Sequence, residues 1–134
     1  MTQTVLIADD DPLLTGLVRL KLSRKGFNVV EVADGSELLT RIDDVEPDII
    51  ILDLRMPKMD GKATLHHLKT SAKHQQIPVI MLSASRSGLS EKSTLEQGAS
   101  YFLTKPFNPD VLVDHVHRAL AGGRQPEGFY RTRC

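Results

Sequence analysis

Five short apolar runs, separated by longer stretches of mixed character, constrain this chain more than any other feature. The runs cover 5–8, 28–32, 49–52, 79–82 and 101–104. Three are nearly continuous in Val, Ile and Leu, which is what strands need when a parallel sheet is covered on both faces. The stretches between them carry helical signals. Asp11 suits an N-cap and Pro12 the first helical position, and the pattern runs through Leu14, Leu17 and Val18 to a closing Gly26.

Further helices are expected over 36–44, with Leu38, Leu39 and Ile42 inward, and over about 62–73, with Leu65 and Leu68 three apart. A weaker one spans about 89–97 and ends at Gly98. The last runs over 109–121, where Leu112, Val116, Ala119 and Leu120 form one stripe. Strand and helix in alternation read as an α/β chain, a (βα)5 unit whose right-handed crossovers make a single parallel sheet between helical layers. With 134 residues the chain has the size of one domain, placed at 1–121. Gly122 to Gly128 is rich in Gly and Pro, so 122–134 is expected to be a C-terminal tail or the start of a linker. Phe129 and Tyr130 make that tail apolar enough to dock.

Charge narrows the function. The chain has 17 basic and 17 acidic residues, without the basic excess of a nucleic-acid surface, so no direct nucleic-acid binding is expected. Its single cysteine, Cys134, allows no intrachain disulfide, which fits a reducing compartment. No apolar run nears the roughly 18–20 residues of a membrane span, and the start lacks the pattern of a signal peptide. A cytoplasmic protein without a membrane partner is the expectation.

The polar residues fall where chemistry is done in open parallel sheets, beyond the carboxyl ends of the strands. Asp9 and Asp10 follow the first run, Asp53 the third, Ser83 the fourth and Lys105 the fifth. Singly, each has an ordinary explanation: an acid caps a turn, a serine sits in a loop, a lysine is solvated. Asp11 keeps its ordinary role as a cap. Jointly they are costly, because carboxylates about 4 Å apart repel by roughly 1–4 kcal/mol and raise one another's pKa. A hard divalent cation with oxygen ligands resolves the conflict, and Lys105 adds a positive charge. A carboxylate flanked by a cation and a lysine is arranged for phosphoryl transfer, with the carboxylate as nucleophile and an acyl phosphate as product.

The motifs that carry these residues are Val-Leu-Ile-Ala-Asp-Asp-Asp-Pro (5–12), Ile-Leu-Asp-Leu-Arg-Met-Pro-Lys-Met-Asp-Gly (51–61), Pro-Val-Ile-Met-Leu-Ser-Ala (78–84) and Leu-Thr-Lys-Pro-Phe (103–107). Over about 4–120 the chain closely resembles response-regulator receiver domains of bacterial two-component signalling, the group that includes the chemotaxis regulator. The resemblance implies a flavodoxin-like three-layer sandwich with strand order 2-1-3-4-5. It makes Asp53 the phosphoacceptor, charged from a phosphohistidine of a sensor histidine kinase or a histidine phosphotransfer protein. Mg²⁺ (or Mn²⁺) is then held by Asp10, Asp53 and the backbone carbonyl of Arg55, with Asp9 completing the acidic pair. Ser83 and Lys105 take the phosphoryl oxygens, Lys105-Pro106 is cis, and Gly61 closes the loop after Asp53.

Ser83 and Phe102 are the implied switch: Ser83 drawn toward the phosphoryl group leaves room for the Phe102 ring to turn inward and change the face of helix four, strand five and helix five. The same residue has an ordinary role in the core. Arg55 and Ser85 line the path of an attacking water and tune the phosphoryl lifetime. Such a domain catalyses only its own phosphorylation and dephosphorylation; it acts on a downstream output domain or target protein, as a monomer or a phosphorylation-dependent dimer.

Departures and rivals sharpen this. The segment Gly98-Ala99-Ser100-Tyr101 lacks the acidic pair of winged-helix transcription regulators, and the fifth helix lacks their dimer-face pattern, which points away from that subfamily. A phosphatase of the haloacid-dehalogenase type needs a second acid two residues after its nucleophile, where Arg55 stands. A flavin carrier would cradle phosphate at the first loop, where three aspartates repel it. A receiver that has lost phosphorylation would lack a required residue, and none is missing. His66, His67, His74, His115 and His117 have no partners at ligand spacing and read as surface residues. The chain is either a stand-alone regulator or a receiver severed from a longer protein, with the Gly/Pro tail favouring the latter.

Overall fold

In the computed structural model, residues 2–56, 58–84 and 88–126 are described, with 88 and 89 by their backbone alone. Ten elements alternate: β1 Thr4–Ala8, α1 Pro12–Arg24, β2 Asn28–Val32, α2 Gly35–Val45, β3 Ile49–Asp53, α3 Gly61–Thr70, β4 Val79–Ser83, α4 Gly88–Glu96, β5 Tyr101–Thr104 and α5 Pro109–Leu120. All strand pairings are parallel, and the sheet order is β2-β1-β3-β4-β5. The α/β fold and strand order are those expected.

The pleat divides the strands between two cores, since successive side chains point to opposite faces. Val5, Ile7, Ile49, Ile51, Ile80 and Leu82 face α1 and α5, meeting Val18, Leu22, Leu112 and Val116. Leu6, Ala8, Ile50, Leu52, Val79 and Met81 face the other way, toward Leu38 and Ile42 of α2, Leu65 and Leu68 of α3 and Leu95 of α4. The central strands therefore have no polar face. That confines their polar residues to the strand ends.

Helix starts follow the capping residues. Asp11, Asp34, Asp60 and Asn108 accept from the first-turn amides of α1, α2, α3 and α5. Two details differ from the sequence pattern. Leu17 is 44% exposed, because α1 rests on the sheet through Val18 and Leu22. Helix α3 stops at Thr70, since Ser71 is extended and the Lys69 ammonium binds the carbonyls of Gln75 and Ile77, fastening the following turns beneath the helix end.

The first residues after α5 fold back onto the body. Gly122 has φ +92° and turns the chain, and the amide of Gly123 donates to Arg118. The tail expected to begin at 122 thus remains in contact with the body over its first residues. Phe129 and Tyr130 lie outside the described residues.

Candidate functional site

The topology brings the carboxyl ends of β1 and β3, neighbours in the sheet, to one place, with β4 and β5 beside them. One carboxylate oxygen from each of Asp9, Asp10 and Asp53 lies within 4.8 Å of the other two. Asp9 and Asp53 are buried and Asp10 is exposed, so the cluster is closed below and open to water on one side. Lys105 Nζ donates to Asp9 Oδ2 at 3.0 Å and to Asp53 Oδ2 at 3.2 Å. The other Asp9 oxygen accepts from the Asp11 amide at 3.0 Å, and Asp53 Oδ1 receives the Arg55 amide at 3.4 Å.

Local structure places each group. Asp11, the third aspartate of the run, turns away and caps α1, as its ordinary role required. The amide of Lys105 donates to the carbonyl of Ser83, which ties the segment after β5 to the end of β4. Ser83 is buried at that end, one residue beyond the pairing of Asp53 with Leu82. The Lys105-Pro106 bond is cis. A Cβ on Gly61 would lie 2.8 Å from Leu54 Cα and 2.9 Å from the Asp53 carbonyl carbon, closer than such atoms come. Only glycine allows α3 to start against the backbone that presents Asp53.

The electrostatics show a site short of positive charge. Burial, and then the charge of Asp9, push the Asp53 carboxyl up to about 6; Lys105 and the Arg55 amide pull the other way without prevailing. Burial disfavours the Lys105 ammonium, but its hydrogen bonds and the charges of Asp9 and Asp53 outweigh that and hold its pKa above the ordinary value. One lysine thus offsets part of the repulsion among three acids. This open cluster of hard oxygen donors can hold a metal ion.

Phe102 is 1% exposed, its ring already packed inward in the core that includes Leu95 and Ala99. Arg55 is exposed beside the cluster, while Ser85 lies outside the described residues. The histidines do not gather. His66 and His67 are exposed, whereas His74 bridges Ser71 and Asp43, and His115 stacks on Tyr101 with ring centroids 4.5 Å apart. The surface assignment therefore needs correcting for His74 and His115, which are half-buried because each packs against a neighbouring element.

Two features had no clear signal in the sequence. Leu13, Leu17 and Leu20 expose an apolar stripe on α1, 86% at Leu13, with Leu13 two residues beyond the Asp11 cap; their 3.6-residue spacing could have marked a face, but not which way it points. Gln125 is bound to β5 and α4, and nothing in a polar residue between Arg124 and Pro126 announces that.

A family model described as the response regulator receiver domain matches residues 5–117. The chain belongs to this family. Transcriptional regulatory protein CpxR of Escherichia coli (strain K12) is 41% identical over 116 residues, which are 87% of this chain and 48% of CpxR. The chain thus spans about half the length of such relatives. The signal receiver domain of a signal transduction histidine kinase from Syntrophus aciditrophicus superposes with a TM-score of 0.83 at 34% identity, covering 96% of this chain and 97% of that one. A Francisella response regulator receiver domain gives 0.83 at 32% identity, covering 90% and 98%. A relative named as a transcriptional regulator gives no support to the lean away from that class. Among the described residues no helix of this receiver domain is long and apolar enough to cross a membrane.

Proposed function

We propose that this receiver domain accepts a phosphoryl group on Asp53 from the phosphohistidine of a sensor kinase or histidine phosphotransfer protein, and that the modified form acts on an output domain or partner. The single observation that carries this is Lys105 bridging Asp9 and Asp53 within a cluster that Asp10 completes. With its pKa near 6, Asp53 is mostly ionised at neutral pH and available as a nucleophile. Its oxygen forms the new bond to phosphorus as the P–N bond to imidazole breaks, and the freed ring nitrogen takes a proton. Lys105 is placed to neutralise charge gathering on the phosphoryl oxygens, and Ser83 to donate its hydroxyl to one of them.

Asp10, Asp53 and the Arg55 carbonyl would hold Mg²⁺ or Mn²⁺, with Asp9 beside them. Bound there, such an ion would supply neutralisation of the negative charge. Hydrolysis of the acyl phosphate returns Asp53 to its starting state, so the domain catalyses only its own modification and its reversal.

The donor's landing surface is the exposed Leu13, Leu17 and Leu20 stripe, which begins beside the acidic cluster and is apolar enough to bind a helix of the donor. A domain that takes its phosphoryl group from a kinase phosphohistidine would act in the cytoplasm. Mass spectrometry after incubation with Mg²⁺ and a small acyl-phosphate donor tests the assignment. One added phosphoryl group is expected. No addition, or the same addition in Asp53→Ala, would sink it.

A further inference from the structure

Strand β5 is an edge of the sheet, and an open edge presents unpaired amides and carbonyls. Here one residue of the exit segment covers it. The amide of Gln125 donates to the carbonyl of Ser100 at 2.7 Å, and its side-chain oxygen accepts the amide of Phe102 at 3.3 Å. Ser100 carbonyl and Phe102 amide are the pair that a neighbouring strand would engage, so Gln125 stands in for one residue of a sixth strand. Its side-chain nitrogen also donates to the carboxylate of Glu91, a residue of α4 that is 1% exposed. A guanidinium nitrogen of Arg124 reaches the carbonyl of Leu95, near the end of the same helix, at 3.5 Å.

The reversal that delivers Gln125 is built in. A Cβ at Gly123 would meet the Arg118 carbonyl oxygen and the Tyr101 hydroxyl, each at 2.9 Å, so the chain can fold back under α5 only with glycine there. One amide side chain therefore joins β5, α4 and the chain leaving the domain. Phe102 lies at the junction, its backbone held by Gln125 and its ring packed with Leu95 and Ala99.

We propose that Gln125 is a latch that holds the exit segment 122–126 on the β5 edge and α4 while Asp53 is unmodified, and that modification of Asp53 releases it. This rests on the phosphoryl-acceptor reading above. Lys105 and the Ser83 carbonyl are already hydrogen-bonded at the ends of β5 and β4, so a phosphoryl group that draws on Lys105 and Ser83 pulls on β5 at its carboxyl end. Gln125 grips the other end of β5 and, separately, α4, and it cannot keep both contacts if the two elements shift against each other. Release frees the β5 edge for pairing and detaches the exit segment from α4. Coupling is reciprocal: removing the latch must favour the modified state by the factor that modification weakens the latch.

The test uses the full chain with Mg²⁺ and beryllofluoride, a stable phosphoryl mimic, and reads amide hydrogen exchange at Phe102 and Gln125 alongside the apparent Kd of the mimic. Binding of the mimic should speed exchange at both amides, and Gln125→Ala should bind it about fivefold more tightly, the scale of one or two ordinary hydrogen bonds. Gln125→Glu, which sets a carboxylate against Glu91, should behave like Gln125→Ala. If the mimic binds but exchange and affinity are unchanged in both variants, the latch is refuted and the acceptor reading stands. If the unaltered chain fails to bind the mimic, both fall.

Discussion

Asp53 should weaken the metal-free fold that presents it. The folded protein protonates this carboxyl near 6, against an ordinary value of 3.8. Between those values the folded state binds more protons than the unfolded chain, so stability falls as pH rises from about 4 to about 6 and stays low above. At about 1.4 kcal/mol per pH unit, carrying the ionised group at neutral pH costs at most about 3 kcal/mol. Solvent reaching the site beside exposed Asp10 screens part of that, while the favourable Lys105 contact at 3.2 Å is already contained in the value near 6. A net gain of about 1–2 kcal/mol for Asp53→Asn remains. In a domain of this size that raises Tm by roughly 3–10 °C.

Thermal unfolding followed by circular dichroism, at about pH 7.5 with a chelator, measures it. The gain should shrink near pH 5, where Asp53 of the unaltered protein is itself protonated. It should also shrink in millimolar Mg²⁺ if the ion binds the acidic cluster, since a ligand of the folded state stabilises the unaltered protein. An Asp53→Asn variant no more stable than the parent at pH 7.5 in chelator would refute the electrostatic account. So would a gain that persists unchanged at pH 5.

Three further outcomes follow from the same geometry. Lys105→Met leaves Asp9 and Asp53 facing each other without their shared cation; urea unfolding in chelator should show a loss of about 1–3 kcal/mol, and the Asp53 carboxyl, followed by NMR titration, should move further up. Gly61→Ala forces a Cβ against the Asp53–Leu54 backbone and should cost about 2–3 kcal/mol in urea unfolding, with weakened Mg²⁺ binding in protein that remains folded. Leu13→Ser combined with Leu17→Ser removes apolar surface that the fold leaves exposed. Phosphorylation by a small acyl phosphate should be unchanged, while transfer from a phosphohistidine protein should slow by at least tenfold; equal slowing of both would argue against α1 as the donor's surface.

The alternation of apolar runs with capped amphipathic segments determined the fold from the sequence alone, because strands buried on both faces admit almost nothing but Val, Ile and Leu and push every polar group to their ends. Asp9, Asp10, Asp53, Ser83 and Lys105 were legible for that reason, and Asp11 as a cap, since its place before Pro12 is a local signal. Local signals do not report what packs against a helix. Leu17 belongs to the periodic pattern yet lies outside, since the sheet takes the neighbouring Val18; α3 ends at Thr70 because Lys69 ties down the next turn. The ionisation of Asp53 and the docking of Gln125 are likewise decided by groups from several separate elements meeting in space. Sequence spacing orders residues along one element, and only tertiary structure sets the distances between elements on which charge coupling and long-range hydrogen bonds depend.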